Sequence, residues 1–307
     1  MSSHPRLSIV IPHLNEPDSL QRCLAALNAQ RNPNIPFEII VVDNGSRIPP
    51  RAACAAVPGV RLERESIPGP GPARNRGAAV ANADLLAFID ADCVAAPGWV
   101  QSIVAFMDSQ PDIAFLGGDI GILPTRPERL TAIEAYECVF SYRAKLYVER
   151  YGFAATGNMA VRADVFRAVG PFGGIATMED TEWGQRASGR GLRIAYLPEA
   201  KVLTPSCKSF AELKRRWDRH ISHEFGKVGR HPARVLSWLA ESTLVAASPP
   251  IGLVSILRSN RVAGLRERCL AFACLTRVRL YRARRMLSLA FHNNTAVVVG
   301  SWNREKS

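Results

Sequence analysis

From residue 7 onward, short unbroken apolar runs alternate with stretches in which apolar residues recur every three or four positions. The runs at 7–11, 37–42, 85–89 and 113–118 read as strands of a buried sheet, that at 37–42 being fully apolar after Glu38, and the charged stretch 60–65 reads as a further strand. Between them, 17–30 opens with Pro17 in its first turn and sets Leu20, Leu24 and Leu27 on one helical face. A rigid loop is expected at 69–72, then a helix of small residues over 73–83 and another helix over 97–109. Further on, one long helix is expected over 127–149, carrying Tyr136, Phe140 and Tyr147. A short strand at 159–161, helices at 163–169 and 181–188 and a strand at 192–197 complete the pattern. Such alternation is the mark of βα units on a largely parallel sheet, an α/β fold. Beyond about residue 206 the pattern is helical: 210–227 is basic, 235–257 is apolar but broken by Glu241 and by Pro249-Pro250, and 258–285 is rich in arginine. A bilayer span needs ~20 continuous apolar residues, so 235–257 makes a poor one, with insertion at a membrane surface or as a hairpin left open.

In an open parallel sheet the ligand crevice lies beyond the carboxyl ends of the strands. Two strands end there in acids, one in Asp43-Asn44-Gly45-Ser46 and one in Asp90-Ala91-Asp92. The strand period of two points Asp90 and Asp92 to the same side, where two carboxylates suit a hard cation such as Mg²⁺ or Mn²⁺. Aspartates that merely cap a turn give the same spacing. Arg74 offers a planar, permanent charge for a phosphate or a base edge, while Arg76 is expected on another side of its helix.

The ordered set Leu7-Ser8-Ile9-Val10-Ile11-Pro12, Asn15-Glu16, 39–46, Gly71-Pro72-Ala73-Arg74-Asn75-Arg76-Gly77 and Phe88-Ile89-Asp90-Ala91-Asp92 closely resembles the family 2 glycosyltransferases over roughly residues 7–200. The resemblance implies a GT-A type fold, a Rossmann-like αβα sandwich on a mostly parallel mixed sheet. It implies an inverting transfer of a sugar from a UDP- or GDP-sugar, with Mn²⁺ or Mg²⁺, to a glycan, lipid-linked or small-molecule acceptor in polysaccharide, glycolipid or cell-envelope glycan synthesis. Asp43 would read the base, Pro12 and Glu16 would flank base and ribose, and Arg74 would lie near base or phosphates. Asp90, Ala91 and Asp92 would hold the metal and diphosphate. Gly157-Asn158 and Glu179-Asp180 look like the family's acceptor-side elements, with Asp180 as general base and Trp183 against a sugar ring or in the core. Lys214-Arg215-Arg216-Trp217 resembles the Gln-x-x-Arg-Trp element of processive relatives only in part, since Leu213 stands where Gln would be. Arg216, Arg219, His220 and His223 would then close over the donor from a mobile loop, or serve as ordinary helix residues.

Charge changes the picture of the C-terminal third. The chain has net charge +12, and residues 201–307 hold 20 Lys/Arg against 6 Asp/Glu, a net of +14, which leaves 1–200 at −2. The organisation read from the sequence is a catalytic domain over 1–206, with a nucleotide-binding half at about 1–120 and an acceptor half at about 121–206. A basic helical region follows over 207–307. Its stretch 258–285 reads as an interfacial amphipathic helix for an anionic membrane surface. Seven Cys without a Cys-x-x-Cys pair fit reduced thiols, and no signal peptide is visible at the N-terminus, so the expected place is cytoplasmic, peripheral on the inner face of the cell membrane. A nucleotidyltransferase would use a similar carboxylate pair, but 12–16 lacks the Gly-rich, Lys-bearing loop such enzymes carry. A basic nucleic-acid-binding protein would explain the charge, without a recognised module.

Overall fold

The computed structural model describes residues 4–126, 128–175, 177–228 and 232–292. Over these the chain forms two compact units, one from 4–121 and 143–204, the other from 122–142 and 205–292. The last fifteen residues of the C-terminal region, 293–307, lie outside the described residues.

The first unit is built on an eight-stranded mixed sheet. Strand β1 (Leu7–His13) is buried at every position, as its run of aliphatic residues requires. Helix α1 (Pro17–Asn28) returns the chain to β2 (Phe37–Asp43), and the short α2 (Arg51–Ala55) leads to β3 (Val60–Arg64), all three strands parallel. Helix α3 (Pro70–Ala79) then crosses back, and β4 (Leu85–Ile89) pairs parallel with the other edge of β1. The direction of strand addition therefore reverses between β1 and β4, which opens a crevice at their carboxyl ends. The brief β5 (Val94–Ala95), α4 (Trp99–Ser109) and β6 (Ile113–Leu123) follow. After a segment belonging to the other unit, which contains α5 (Ala132–Phe140), come α6 (Ala144–Tyr151), β7 (Asn158–Arg162), α7 (Ala163–Val169), α8 (Glu179–Gly189) and β8 (Arg193–Pro205). The strand order is β3-β2-β1-β4-β7-β6-β8-β5, with β7 antiparallel to both β4 and β6.

Several elements differ from the sequence reading. The loop expected at 69–72 is already helical from Pro70, after Gly69 at φ 126°, a value that favours glycine. The small residues of α3 allow close packing: a Cβ on Gly77 would lie 2.3 Å from Val10 Cγ1. The single helix expected over 127–149 is two, broken where Ser141 is extended and Tyr142 adopts φ 48°. The chain leaves one unit for the other at that break, so residues 122–142, read as part of an acceptor half, pack instead with the C-terminal helices.

In the second unit α5 packs with α9 (Phe210–Val228), α10 (Pro232–Ala247), α11 (Pro249–Arg258) and α12 (Gly264–His292). The arginine-rich stretch read as an interfacial helix turns one apolar stripe to the interior. Its apolar stripe, Ala271, Cys274, Leu275 and Val278, forms the core of this unit with Tyr136, Leu213 and Ile256. Arg277 and Arg282 lie over the rings of Phe210 and Trp217 at 3.9 and 4.0 Å. Arg216 sits on α9, paired with the fully buried Glu137 of α5, which also accepts from Ser206 Oγ at 2.5 Å and Cys207 N at 2.9 Å. Burial, with Arg219 and Arg216 beside it, pushes His220 down to about 4.

Candidate active site

Strands β1 and β2 run in register so that His13 stands beside Asp43 at their carboxyl ends. Nε2 of His13 accepts from the Glu16 backbone N–H at 3.2 Å, which leaves Nδ1–H facing Asp43 Oδ1 at 3.4 Å. The Ser46 backbone N–H donates to the same Oδ1 at 3.3 Å. Burial pulls the Asp43 carboxyl upward, but the hydrogen bonds from His13 and Ser46 outweigh it and hold it below the usual carboxylate range. These contacts all fall on Oδ1. Asn15, at φ 55°, laces the two loops together: its N–H donates to Ser46 Oγ at 2.9 Å and its Oδ1 accepts from Arg47 N at 2.9 Å. Pro12 is buried in β1 and Glu16 opens α1, so Pro12, Glu16 and Asp43 share one sheet edge. Asn44 extends the edge toward α3, accepting from Gly69 N at 2.7 Å while its amide donates to the carbonyls of Glu65 and Ile67.

Arg74 joins the remaining acids. It is buried on α3, and its guanidinium donates through Nη2 to Asp90 Oδ1 at 2.6 Å and through Nη1 to Glu179 Oε1 at 3.0 Å. Strand β4 and helix α8 are distant in sequence, yet one planar fork joins Asp90, just past the first, to Glu179 at the start of the second. Arg76 points elsewhere, to Glu63 on the surface at 2.7 Å. Because Ile89 is in register with Asn158, Gly157 faces Asp90, and a Cβ there would lie 2.8 Å from Asp90 Oδ2. A side chain at 157 would therefore crowd the carboxylate.

Ligand atoms of Asp90, Asp92 and Cys93 lie within 4.8 Å of one another. The Asp90 side chain is 42% exposed, which leaves room for oxygen ligands from a substrate. The Cys93 thiol is pushed well up by burial and by Asp92 and Asp90, so it stays protonated and the hard donors are the two aspartates. Two carboxylates open to a diphosphate fit Mg²⁺ or Mn²⁺. Asp180, in the first turn of α8, is raised to about 6 by burial and by the adjacent Glu179, against hydrogen bonds from Thr181 and the charge of Arg74. A carboxyl with that value is ionised near neutrality and basic enough to take a proton.

Two residues read as pocket residues serve the core instead. Asn158 is 1% exposed, and its amide donates to the carbonyls of Asp119 and Ala200 at 2.8 and 2.7 Å while accepting from Trp99 Nε1 at 2.8 Å. Both its donors and its oxygen are engaged in fastening β7 to β6, β8 and α4. Trp183 is fully buried, stacked on Phe166 at 5.6 Å and edge-on to Phe115 at 5.4 Å, with its Nε1 donating to Gly170 O. Neither is free to meet a sugar. His13 is the residue the sequence reading passed over; its signal was a position one strand pair away from Asp43.

Residues 8–170 match the family described as glycosyl transferase family 2. The glycosyltransferase AglE of Haloferax volcanii is 30% identical over 221 residues, covering 70% of this chain and 71% of the relative. A pre-mycofactocin glycosyltransferase of Mycobacterium tuberculosis is 27% identical over 209 residues, 65% of this chain and 43% of the relative. Among solved structures, the mannosyltransferase PcManGT from Pyrobaculum calidifontis, in complex with GDP-Man and Mn²⁺, superposes with a TM-score of 0.59 at 17% identity, covering 95% of this chain and 89% of that one. TarS 1-349 of S. aureus with UDP-GlcNAc gives 0.53 at 14% identity, covering 94% and 92%. At these identities the two structures speak for a shared GT-A fold.

Proposed function

The chain belongs to glycosyl transferase family 2, and from that premise we propose that it transfers a sugar from a UDP- or GDP-sugar to an acceptor hydroxyl with inversion at the anomeric carbon. The observation that carries this reading is the Arg74 fork, which brings the Asp90–Asp92 pair and the Glu179-Asp180 pair to one crevice at the sheet end that also bears Asp43. Asp43, with Oδ2 outside its own hydrogen bonds, accepts from a base N–H, and Pro12 and Glu16 flank the nucleoside. Asp90 and Asp92 would hold a divalent cation, which would supply positive charge to offset that developing on the diphosphate.

Asp180 takes the proton of the acceptor hydroxyl as its oxygen bonds to the anomeric carbon. The bond from that carbon to the diphosphate breaks on the opposite face, and the electron pair leaves with the nucleoside diphosphate. Arg74 keeps Glu179 and Asp90 paired so that their charges do not raise Asp180 further. The family assignment sets aside the nucleotidyltransferase reading. The seven free thiols support a reducing, cytoplasmic place of action.

The test is a panel of UDP- and GDP-sugars with Mn²⁺ or Mg²⁺, in which the released nucleotide and the anomeric configuration of the product are determined. Nucleoside diphosphate and an inverted product are expected. Release of pyrophosphate, or retention of configuration, would refute the mechanism.

A further inference from the structure

We propose that α10 and α11, a bent helix pair, seat the second unit on an anionic lipid surface. Of the thirteen exposed large hydrophobic residues among those described, seven fall between 236 and 265. Helix α11 packs inward through a narrow stripe, with Pro249 and Ile256 buried and Gly252 so close to α12 that a Cβ would meet Leu275 Cδ2 at 2.3 Å. The opposite face of a surface helix is ordinarily polar. Here that face presents Ile251 at 75%, Val254 at 48% and Leu257 at 56% exposure. On α10, Leu236 and Leu244 are each 69% exposed. No ionisable residue occurs from 242 to 257.

The bent pair is held in shape. Arg268 of α12 donates to the carbonyls of Ile256, Leu257 and Ser259, fixing the end of α11. The two helices meet at a bend of 52°, and no single described helix is long and apolar enough to cross a membrane. A ten-residue helix is about 15 Å long, half the hydrocarbon thickness, so it lies in the interface. Charge selects the occupant. Exposed Arg234 and Arg258 stand near the two ends of the bent pair, and exposed Arg261 and Arg266 follow, with Glu267 the one acid between 259 and 268. A second copy pairing through this face about a two-fold axis would bring like charges together, whereas anionic headgroups attract them. The apolar residues then enter the acyl boundary between basic flanks.

This inference stands apart from the sugar-transfer reading, and its test needs no donor. The full chain is floated with vesicles of phosphatidylcholine alone or with added phosphatidylglycerol, and its oligomeric state is measured by light scattering. The wild-type chain is expected to float with the anionic vesicles only. Ile251→Glu with Val254→Glu alters exposed positions, so circular dichroism should remain that of the wild type, and partitioning should fall on the order of 100-fold. Arg234→Glu with Arg258→Glu should lower it on the order of 10-fold, an effect that fades in high salt. Equal flotation with neutral vesicles, no flotation, or unchanged flotation of the first variant would overturn the proposal, as would a dimer that these substitutions disperse.

Discussion

Replacing Asp180 by Asn should make the protein more stable and nearly inert at the same time. The carboxyl is raised from 3.8 to about 6, first by burial and then by Glu179. A group whose folded value is raised contributes its stability below the unfolded value and loses it as pH rises through the folded one. Below about pH 4 the wild-type residue is neutral in both states and differs little from Asn. Between about pH 4 and 6 the unfolded chain releases the proton more readily, and by about pH 8 the native state carries a cost of roughly 2–3 kcal/mol, the worth of some two pKa units. Asn carries no such cost, and its side-chain oxygen can still accept from the Thr181 N–H, now at 2.7 Å. Urea unfolding across this pH range should therefore show the variant's midpoint pulling ahead as pH rises, at constant slope. Sugar transfer should fall by ~10²–10⁴, the loss expected for a general base, while nucleotide binding persists. Parallel stability curves, or a variant that is less stable at about pH 8, would show that Asp180 is a structural acid and remove it from the mechanism.

The other residues of the crevice give distinct outcomes. Arg74→Met strands Glu179, whose side chain is 19% exposed, and should cost roughly 3 kcal/mol, with less from the better-hydrated Asp90. Because Arg74 also holds Asp180 down, the pH at which transfer reaches half its plateau should move upward, with partial return in Arg74→Lys; an unmoved profile would separate Arg74 from the base. Asp92→Asn should raise the Mn²⁺ concentration needed for nucleotide binding by calorimetry, and an unchanged requirement would take Asp92 out of the metal site. Asn158→Ala leaves the Trp99 indole and two buried carbonyls unpaired and should lose roughly 2–4 kcal/mol in unfolding midpoint. Activity per folded molecule should hold; selective loss of acceptor use at full stability would return Asn158 to the pocket.

The parts of the fold that were readable are those where burial on both faces leaves only one kind of residue. Strands β1, β2 and β4 are mostly apolar because they lie inside the sheet, and β2 and β4 mark their ends by the next acid, Asp43 or Asp90. The partners of those acids were not readable. Arg74 reaches Asp90 16 residues away and Glu179 105 residues away, and nothing local distinguishes such a clamp from a phosphate ligand. Asn158 follows the same logic in reverse. An amide that could bind a sugar spends its donors on carbonyls of two other strands, in space cleared by Gly118, where a Cβ would lie 2.3 Å from the Asn158 amide nitrogen. The arginine-rich helix shows why an apolar stripe alone does not name its neighbour. Residues 271, 274, 275 and 278 would suit lipid as well as protein, and the presence of α5 and α9–α11 decides for protein. With that stripe of α12 committed to the core, six exposed large apolar residues among those described lie on the shorter α10 and α11 against four on α12, and Arg234 and Arg258 flank the α10–α11 group.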